Sequence, residues 1–470
     1  MIPRRPSGRA AARFASPTRT TRPEPFTSSM ARSLRRDVLA MGIPSMTGFL
    51  MLTIYDLVDI FWLARLGEGP VAAVTAFSAW QWILTFGNQI VGTGSVSFIS
   101  RRFGAGDTEG CERAIQATFL LKAIVGLFAG AVGLLATRLA LTTMGAAPEV
   151  VDLGVTYGTV RLLAVAPELM SFSVYTALRG IGRPSLGMWI SIVGTLINLG
   201  LDPLLIFGAG PIPALGILGA AIASAIGFLT VTVWGMVALS SRHSPLRVRW
   251  ITGPRPTIPE MKSMIRIGAP SGGAALSFSL FSATIVSLVA VHGTTAVALF
   301  GMAQKIIRFG RMLVGGLSLG SSALIGQQLG AGRLERAWLT TVVSARLGIG
   351  ILLTFGGLVA IAAPQIARVF FPDAGTASAG VVYLRLLALG LPFAGITSAA
   401  EAAFSGAGLN APTMIAEILV AWCLTVPLTM LLGQTLGAPG TLLGISCGEV
   451  MMAAALFVLL RRGNWLAHSI

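Results

Sequence analysis

Twelve apolar stretches, each long enough to cross a bilayer, follow one another along this chain: residues 38–63, 71–98, 115–137, 155–177, 186–207, 214–239, 264–290, 297–325, 341–363, 381–403, 412–434 and 437–460. A hydrocarbon core of about 30 Å takes about 20 helical residues to span. Within it no water satisfies the backbone, so such segments must be helices. Composition agrees: with 54% hydrophobic and 11% charged residues, a chain of 470 residues has too little polar surface for a soluble fold. The expected fold class is an all-α polytopic membrane protein of twelve transmembrane helices.

The chain is also duplicated. A shift of 226 residues places Gly42, Pro44 and Ser45 on Gly268, Pro270 and Ser271, and Gly67 on Gly293. The same shift places Gly94 on Gly320, Gly104-Ala105-Gly106 on Gly330-Ala331-Gly332, and Gly180 and Gly182 on Gly406 and Gly408. At 224, Arg161-Leu162-Leu163-Ala164 falls on Arg385-Leu386-Leu387-Ala388, and Pro203 on Pro427. Two six-helix lobes follow, residues 38–239 and 264–460. Each copy has an even number of spans, so the repeats are parallel and related by a pseudo-two-fold axis along the membrane normal. Such repeats enclose a substrate path at their interface and work by alternating access.

Charge gives topology rather than a nucleic-acid surface. The net charge is +16, but Lys and Arg sit in the gaps between apolar runs instead of on one folded face. The basic gaps are those before Val38, around Arg101, Arg102 and Arg113, at Arg179 and Arg183, in the linker 240–263, at Arg333 and Arg336, and at Arg461-Arg462. They alternate with gaps that hold few cations, which places both termini on the cytoplasmic side. Residues 1–37, rich in Arg, Ser, Thr and Pro, read as a disordered basic tail or a transit peptide, with Met30 a candidate start. Residues 461–470 form a short C-terminal tail. Three cysteines without CxxC spacing and three scattered histidines give neither a disulfide framework nor a metal site. An intramembrane enzyme lacks its nucleophile-base pair, since His243, His292 and His468 lie in the linker, a loop and the tail.

Acids inside the spans need a reason, because a carboxylate at membrane depth costs roughly 2.5–3.5 kcal/mol. The duplication serves as an internal control. Asp59 falls on Ile285 and Asp56 on Ser282, while Asn198 and Asp202, one turn apart in the fifth span, fall on an uncharged stretch. The first lobe therefore holds a private polar cluster of Asp59, Asn198 and Asp202, which lie at similar depth. Two carboxylates and an amide suit proton exchange and also suit Na⁺, a hard ion that takes oxygen ligands. Asp202 has the plainer reading of a cap before Pro203, and Asp56 that of an acid facing water or the other lobe. In the second lobe Lys305, Arg308 and Arg311 form a cationic stripe. Glu401, Glu417 and Glu449 are its candidate ion-pair partners, with a substrate role as the other reading. Lys122, Arg161 and Arg385 lie near enough to span ends to snorkel, and the match of Arg161 to Arg385 points to architecture.

Several motifs together resemble the multidrug and toxic compound extrusion (MATE) family over nearly the whole chain, Asp37 to Arg462. They are Pro44-Ser45, Tyr55-Asp56-Leu57-Val58-Asp59, Ser100-Arg101-Arg102-Phe103-Gly104-Ala105-Gly106 with its copy ending in Gly330-Ala331-Gly332, Arg179-Gly180-Ile181-Gly182-Arg183-Pro184, and Asn198 through Asp202-Pro203. The resemblance implies a secondary antiporter of the cytoplasmic membrane that exports amphipathic, cationic, drug-like compounds against an inward H⁺ or Na⁺ flow. It implies no cofactor and no nucleic-acid partner, and the chain is expected to be a monomer in the bilayer. Asp59 matches the family's first-helix acid, Asn198 and Asp202 its fifth-helix pair, and Ser224 a sixth-helix hydroxyl. The acid-free seventh span resembles the DinF-like branch. Tyr55, Asp56, Lys305, Arg308 and Glu401 are candidates for the substrate cavity, and Pro44, which lacks a backbone donor, for a hinge. Flipping a lipid-linked saccharide or another anionic amphiphile is the alternative that the cationic stripe keeps open.

Overall fold

A computed structural model describes residues 28–468, and every regular element in that range is helical. Lobe one is built from α1 (Ser28–Ala64), α2 (Glu68–Leu84), α3 (Gly87–Gly104), α4 (Thr108–Thr143), α5 (Pro148–Leu163), α6 (Val165–Gly180), α7 (Pro184–Phe207) and α8 (Ile217–Ser240). Lobe two is built from α9 (Ile258–Ala290), α10 (Thr294–Gly330), α11 (Leu334–Phe370), α12 (Ala374–Ala407), α13 (Ala411–Leu419), a π-helical turn Val420–Thr425, α14 (Val426–Leu436) and α15 (Ala438–Arg461).

Nine described helices are individually long and apolar enough to span a membrane, and the pair α5 and α6, bent by 52°, makes a tenth. The other two of the twelve expected positions are occupied by α2 with α3, broken at Thr85-Phe86, and by its repeat partner α10, which carries Lys305, Arg308 and Arg311. Two expected boundaries shift. Residues 1–27 of the expected tail lie outside the described residues, and Ser28–Asp37 are the first turns of α1. The C-terminal tail is anchored, because Trp465 is buried between Trp338 and Phe404.

The repeated glycines do two jobs. Gly106 and Gly332 (φ +75° and +69°) close the turns after α3 and α10 in a left-handed conformation that other residues resist. Others form the seam between the lobes. A Cβ on Gly104 would strike the backbone of Gln327, and one on Gly330 the backbone of Arg101, the residue that the 226 shift places on Gln327. The contact is thus reciprocal, as in a two-fold dimer interface. Gly94 against Met264, Gly268 against Ile90 and Gly320 against Met41 continue it.

These contacts all lie in the half of the molecule nearest the described termini. There Arg102 of lobe one also pairs with Glu260 of lobe two at 2.9 Å, and Gln327 donates to the Gly180 carbonyl at 2.8 Å. The lobes therefore join closely at the termini end. The linker is pinned to lobe one. The Arg249 amide donates to Glu112 at 2.5 Å, and Trp250 packs edge-on against Phe119. Helix α9 then starts with a reciprocal cap between Thr257 and Glu260.

Candidate functional site

Helix α1 runs without interruption through Pro44 and delivers Tyr55 and Asp59, one turn apart, to the interior of lobe one. Asp59 (6% exposed), Asn198 (1%), Asp202 (0%) and Ser224 (0%) are all buried there. The Ser224 hydroxyl of α8 donates to Asp59 Oδ2 at 3.2 Å and accepts the Tyr55 phenol. On α7, Asn198 Nδ2 donates to Asp202 Oδ1 at 3.2 Å. The Asp59 carboxyl lies beside both Asp202 and Asn198. Asp59 Oδ1 and Asp202 Oδ2, both buried, have no donor among the described residues. Two facing carboxyls, each with an oxygen lacking a donor, form a pocket of acceptors that a proton or a small cation would satisfy.

Three expectations about charged and aromatic side chains are corrected. Tyr55, expected to line the substrate cavity, is buried against Phe228 with ring centroids 5.4 Å apart and belongs to the acid cluster. Arg161 does not snorkel: it is buried, ion-pairs with Glu168 at 3.0 Å and lies over the Phe228 ring at 5.1 Å. Its repeat partner Arg385 is exposed. The reason is that Glu168 falls on Pro392 at the 224 shift, so Arg385 has no equivalent carboxylate to bury against. Lys122 is likewise buried, with its ammonium 5.8 Å from the Phe172 ring centre.

Sequence reasoning missed the pair Arg161 and Glu168, together with Gln81, whose amide donates to Glu168 at 2.8 Å. A signal was present, since Arg161 and Glu168 are seven residues apart in one apolar stretch and so share a helix face across the break at Ala164. This ion pair and the acid cluster share Phe228, which Tyr55 touches on one side and Arg161 on the other. Of the remaining candidates, Asp56, Lys305, Arg308 and Glu401 are exposed on their helices. Glu401 lies in the electrostatic field of Glu417, Arg311 and Glu449, and Arg311 ion-pairs with Glu449.

That pair borders a cavity of about 80 Å³ inside lobe two, lined also by Phe281, Ser282 and Ile285. The 226 shift places these three on Tyr55, Asp56 and Asp59. The cavity is therefore the repeat-related counterpart of the acid cluster, with the first-helix acid replaced by isoleucine.

A model of the MatE family matches residues 44–204 and again 270–431, so each lobe carries one copy and the two make up most of the chain. The chain belongs to the MatE family of transporters. Among curated MatE relatives, it is 27% identical over 453 residues to the probable multidrug resistance protein NorM of Deinococcus radiodurans, covering 93% of this chain and 97% of the relative. It is 26% identical over 354 residues to the probable multidrug resistance protein YoeA of Bacillus subtilis, covering 73% and 75%. Among solved structures, a MATE in the bent conformation superposes with a TM-score of 0.84 at 25% identity, covering 94% of this chain and 99% of that one. The Vibrio cholerae MATE transporter VcmN in its bent form shares the fold, with a TM-score of 0.86 at 22% identity over 93% and 98%. This MatE chain is thus a two-lobe, twelve-span transporter and not an enzyme.

Proposed function

We propose that this MatE transporter is a proton-coupled antiporter that exports amphipathic, cationic organic compounds, with Asp59 and Asp202 as the coupling site. Relatives named as multidrug resistance or export proteins support the substrate class. The single observation behind the coupling is the pair of facing carboxyls, each with an oxygen lacking a donor. One shared proton supplies both oxygens with a partner. Na⁺ at Asp59, Asn198 and Asp202 fits less well, because the Asn198 amide presents its donor end to Asp202 rather than its oxygen.

Basic residues concentrate at the termini end, which supports reading that end as cytoplasmic and the close lobe contact there as the inner seal of a monomer in the cytoplasmic membrane. A proton entering from outside reaches the Asp59 cluster. It weakens the charge-assisted hydrogen bond that Ser224 makes to Asp59 and frees the outer half of α1. Pro44 donates no backbone hydrogen bond, so bending there is cheap, and the bend closes the path between the lobes on the substrate. Coupling requires proton and substrate to differ in affinity for the two arrangements, which a shared helix provides. The first-lobe site and the acid-free span 264–290 favour the DinF-like branch.

The test is drug uptake into everted vesicles under an imposed pH gradient or an imposed Na⁺ gradient, for the wild type and Asp59→Asn. Transport driven by Na⁺ alone, or unchanged transport by the variant, overturns the proposal. Exposed Lys305 and Arg308 favour one other reading, an anionic amphiphile such as a lipid-linked saccharide. On that reading Lys305→Gln with Arg308→Gln stops transport, whereas export of cations tolerates it.

A further inference from the structure

Helix α1 begins with a stripe that changes chemistry along its length. Arg32, Arg35 and Arg36 are followed on the same face by Leu39, Ala40 and Ile43, spaced at i, i+3, i+4, i+7, i+8 and i+11. Among the described residues this face is open at Arg35, Arg36 and Ala40, which are exposed, and at Ile43, which is 49% exposed. It forms one wall of an open groove of about 590 Å³ that ends at Pro44, and Ser185 in the first turn of α7 contributes the other wall. The groove narrows inward, since one turn further along Gly48 approaches the Met188 backbone and Ser191 donates to the Gly48 carbonyl at 3.4 Å. No acid lines it. Asp37, the acid nearest in sequence, interacts with Arg336 of α11 as well as with Arg36.

We infer that this wedge is a binding site for an anionic phospholipid of the leaflet at the termini end. Charge and depth are complementary: the guanidiniums of Arg35 and Arg36 stand at the mouth, where a headgroup phosphate lies, and the apolar floor descends in the direction an acyl chain takes. Arginine suits the phosphate, because its planar fork makes paired hydrogen bonds to two oxygens. A free phosphate would match the mouth but leave the apolar floor in contact with water. Topology alone would account for basic residues at this end, but not for a groove with an apolar floor behind them. The bound lipid would touch α1 on the termini side of Pro44, and α1 also carries Asp59. Occupancy therefore braces the segment against which the outer half of α1 must bend.

The test is native mass spectrometry of the full-length purified protein with phosphatidylglycerol or phosphatidylcholine added. Retention of phosphatidylglycerol over phosphatidylcholine is expected, weakened about 25-fold in Arg35→Gln/Arg36→Gln, from about a fivefold loss per arginine. Arg35→Lys/Arg36→Lys should restore most of it, and Arg461→Gln/Arg462→Gln at the same membrane surface should leave it unchanged. A monodisperse elution profile for each variant separates lost binding from lost folding. Equal retention by the Gln and wild-type proteins overturns the inference, as does full competition by soluble glycerol phosphate, which would mark a site for a free anion. The readout is binding, so a failure here leaves the coupling proposal standing and can be told apart from its failure.

Discussion

The Ser224 hydroxyl reaches the Asp59 carboxylate at 3.2 Å across the gap between α8 and α1. Residues 165 positions apart are thereby joined inside lobe one, with the Tyr55 phenol on the same hydroxyl. The carboxylate proposed to couple is thus held by a helix other than its own, so a change in its protonation would be felt as a change in how α1 packs against α8.

Asp59→Asn and Asp202→Asn should each reduce pH-driven efflux to the level of protein-free vesicles while leaving the protein inserted and monodisperse. An amide replaces a carboxyl of the same shape but cannot take up the proton. Ser224→Ala removes only a hydroxyl, and efflux should fall without disappearing. Transport rates in reconstituted vesicles at a fixed pH gradient check the ranking.

Arg161 and Glu168 form a buried ion pair in lobe one. Removing one partner strands a charge, so Glu168→Gln or Arg161→Met should cost about 3–5 kcal/mol, whereas the double replacement Arg161→Met/Glu168→Leu should regain much of that loss. Thermal unfolding in detergent separates the cases. A single variant as stable as the wild type would show that the pair is not what holds Gln81, Glu168 and Arg161 together.

Gly104 lies against the backbone of Gln327 across the seam, with no room for a methyl group. Gly104→Ala should force the lobes apart at the termini end and lower transport. In a cysteine-free background, Ser100→Cys reports this directly, since Ser100 is wholly buried at the seam. Its labelling by a membrane-impermeant thiol reagent from the termini side should rise when Gly104→Ala is added.

Glu260 of lobe two receives Arg102 at 2.9 Å and Arg113 at 3.3 Å, both from lobe one. Opening the molecule at the termini end must break these bonds. Glu260→Gln should therefore shift the balance between the two arrangements toward the one open at the termini end by roughly fivefold, the equivalent of roughly 1 kcal/mol for a partly exposed pair. Distances between spin labels on α3 and α9 measure the shift. An unchanged distribution would mean that the glycine seam alone sets the resting state.

The membrane class, the duplication and the private acids of lobe one are legible in the sequence because each is carried by composition or by spacing along the chain. The twelve spans, the 226 shift and the isolation of Asp59, Asn198 and Asp202 are all local or periodic signals. Arg161 was misread for a related reason. Its match to Arg385 is real in sequence, but burial depends on Glu168, and the second copy has Pro392 at that place. A repeat reveals which residues are shared without revealing what surrounds them.

By itself the sequence determined that two similar six-helix units cross a bilayer and that the second has no acid where the first has Asp59 and Asp202. The tertiary structure alone decided that Asp59 and Asp202 face each other, that Tyr55 turns inward to Ser224, and that the repeated glycines meet reciprocally at one end of the molecule. The physical reason is that hydrophobicity and helical period act along the chain, whereas a carboxyl's partners and a glycine's neighbours are fixed by close packing between helices far apart in sequence.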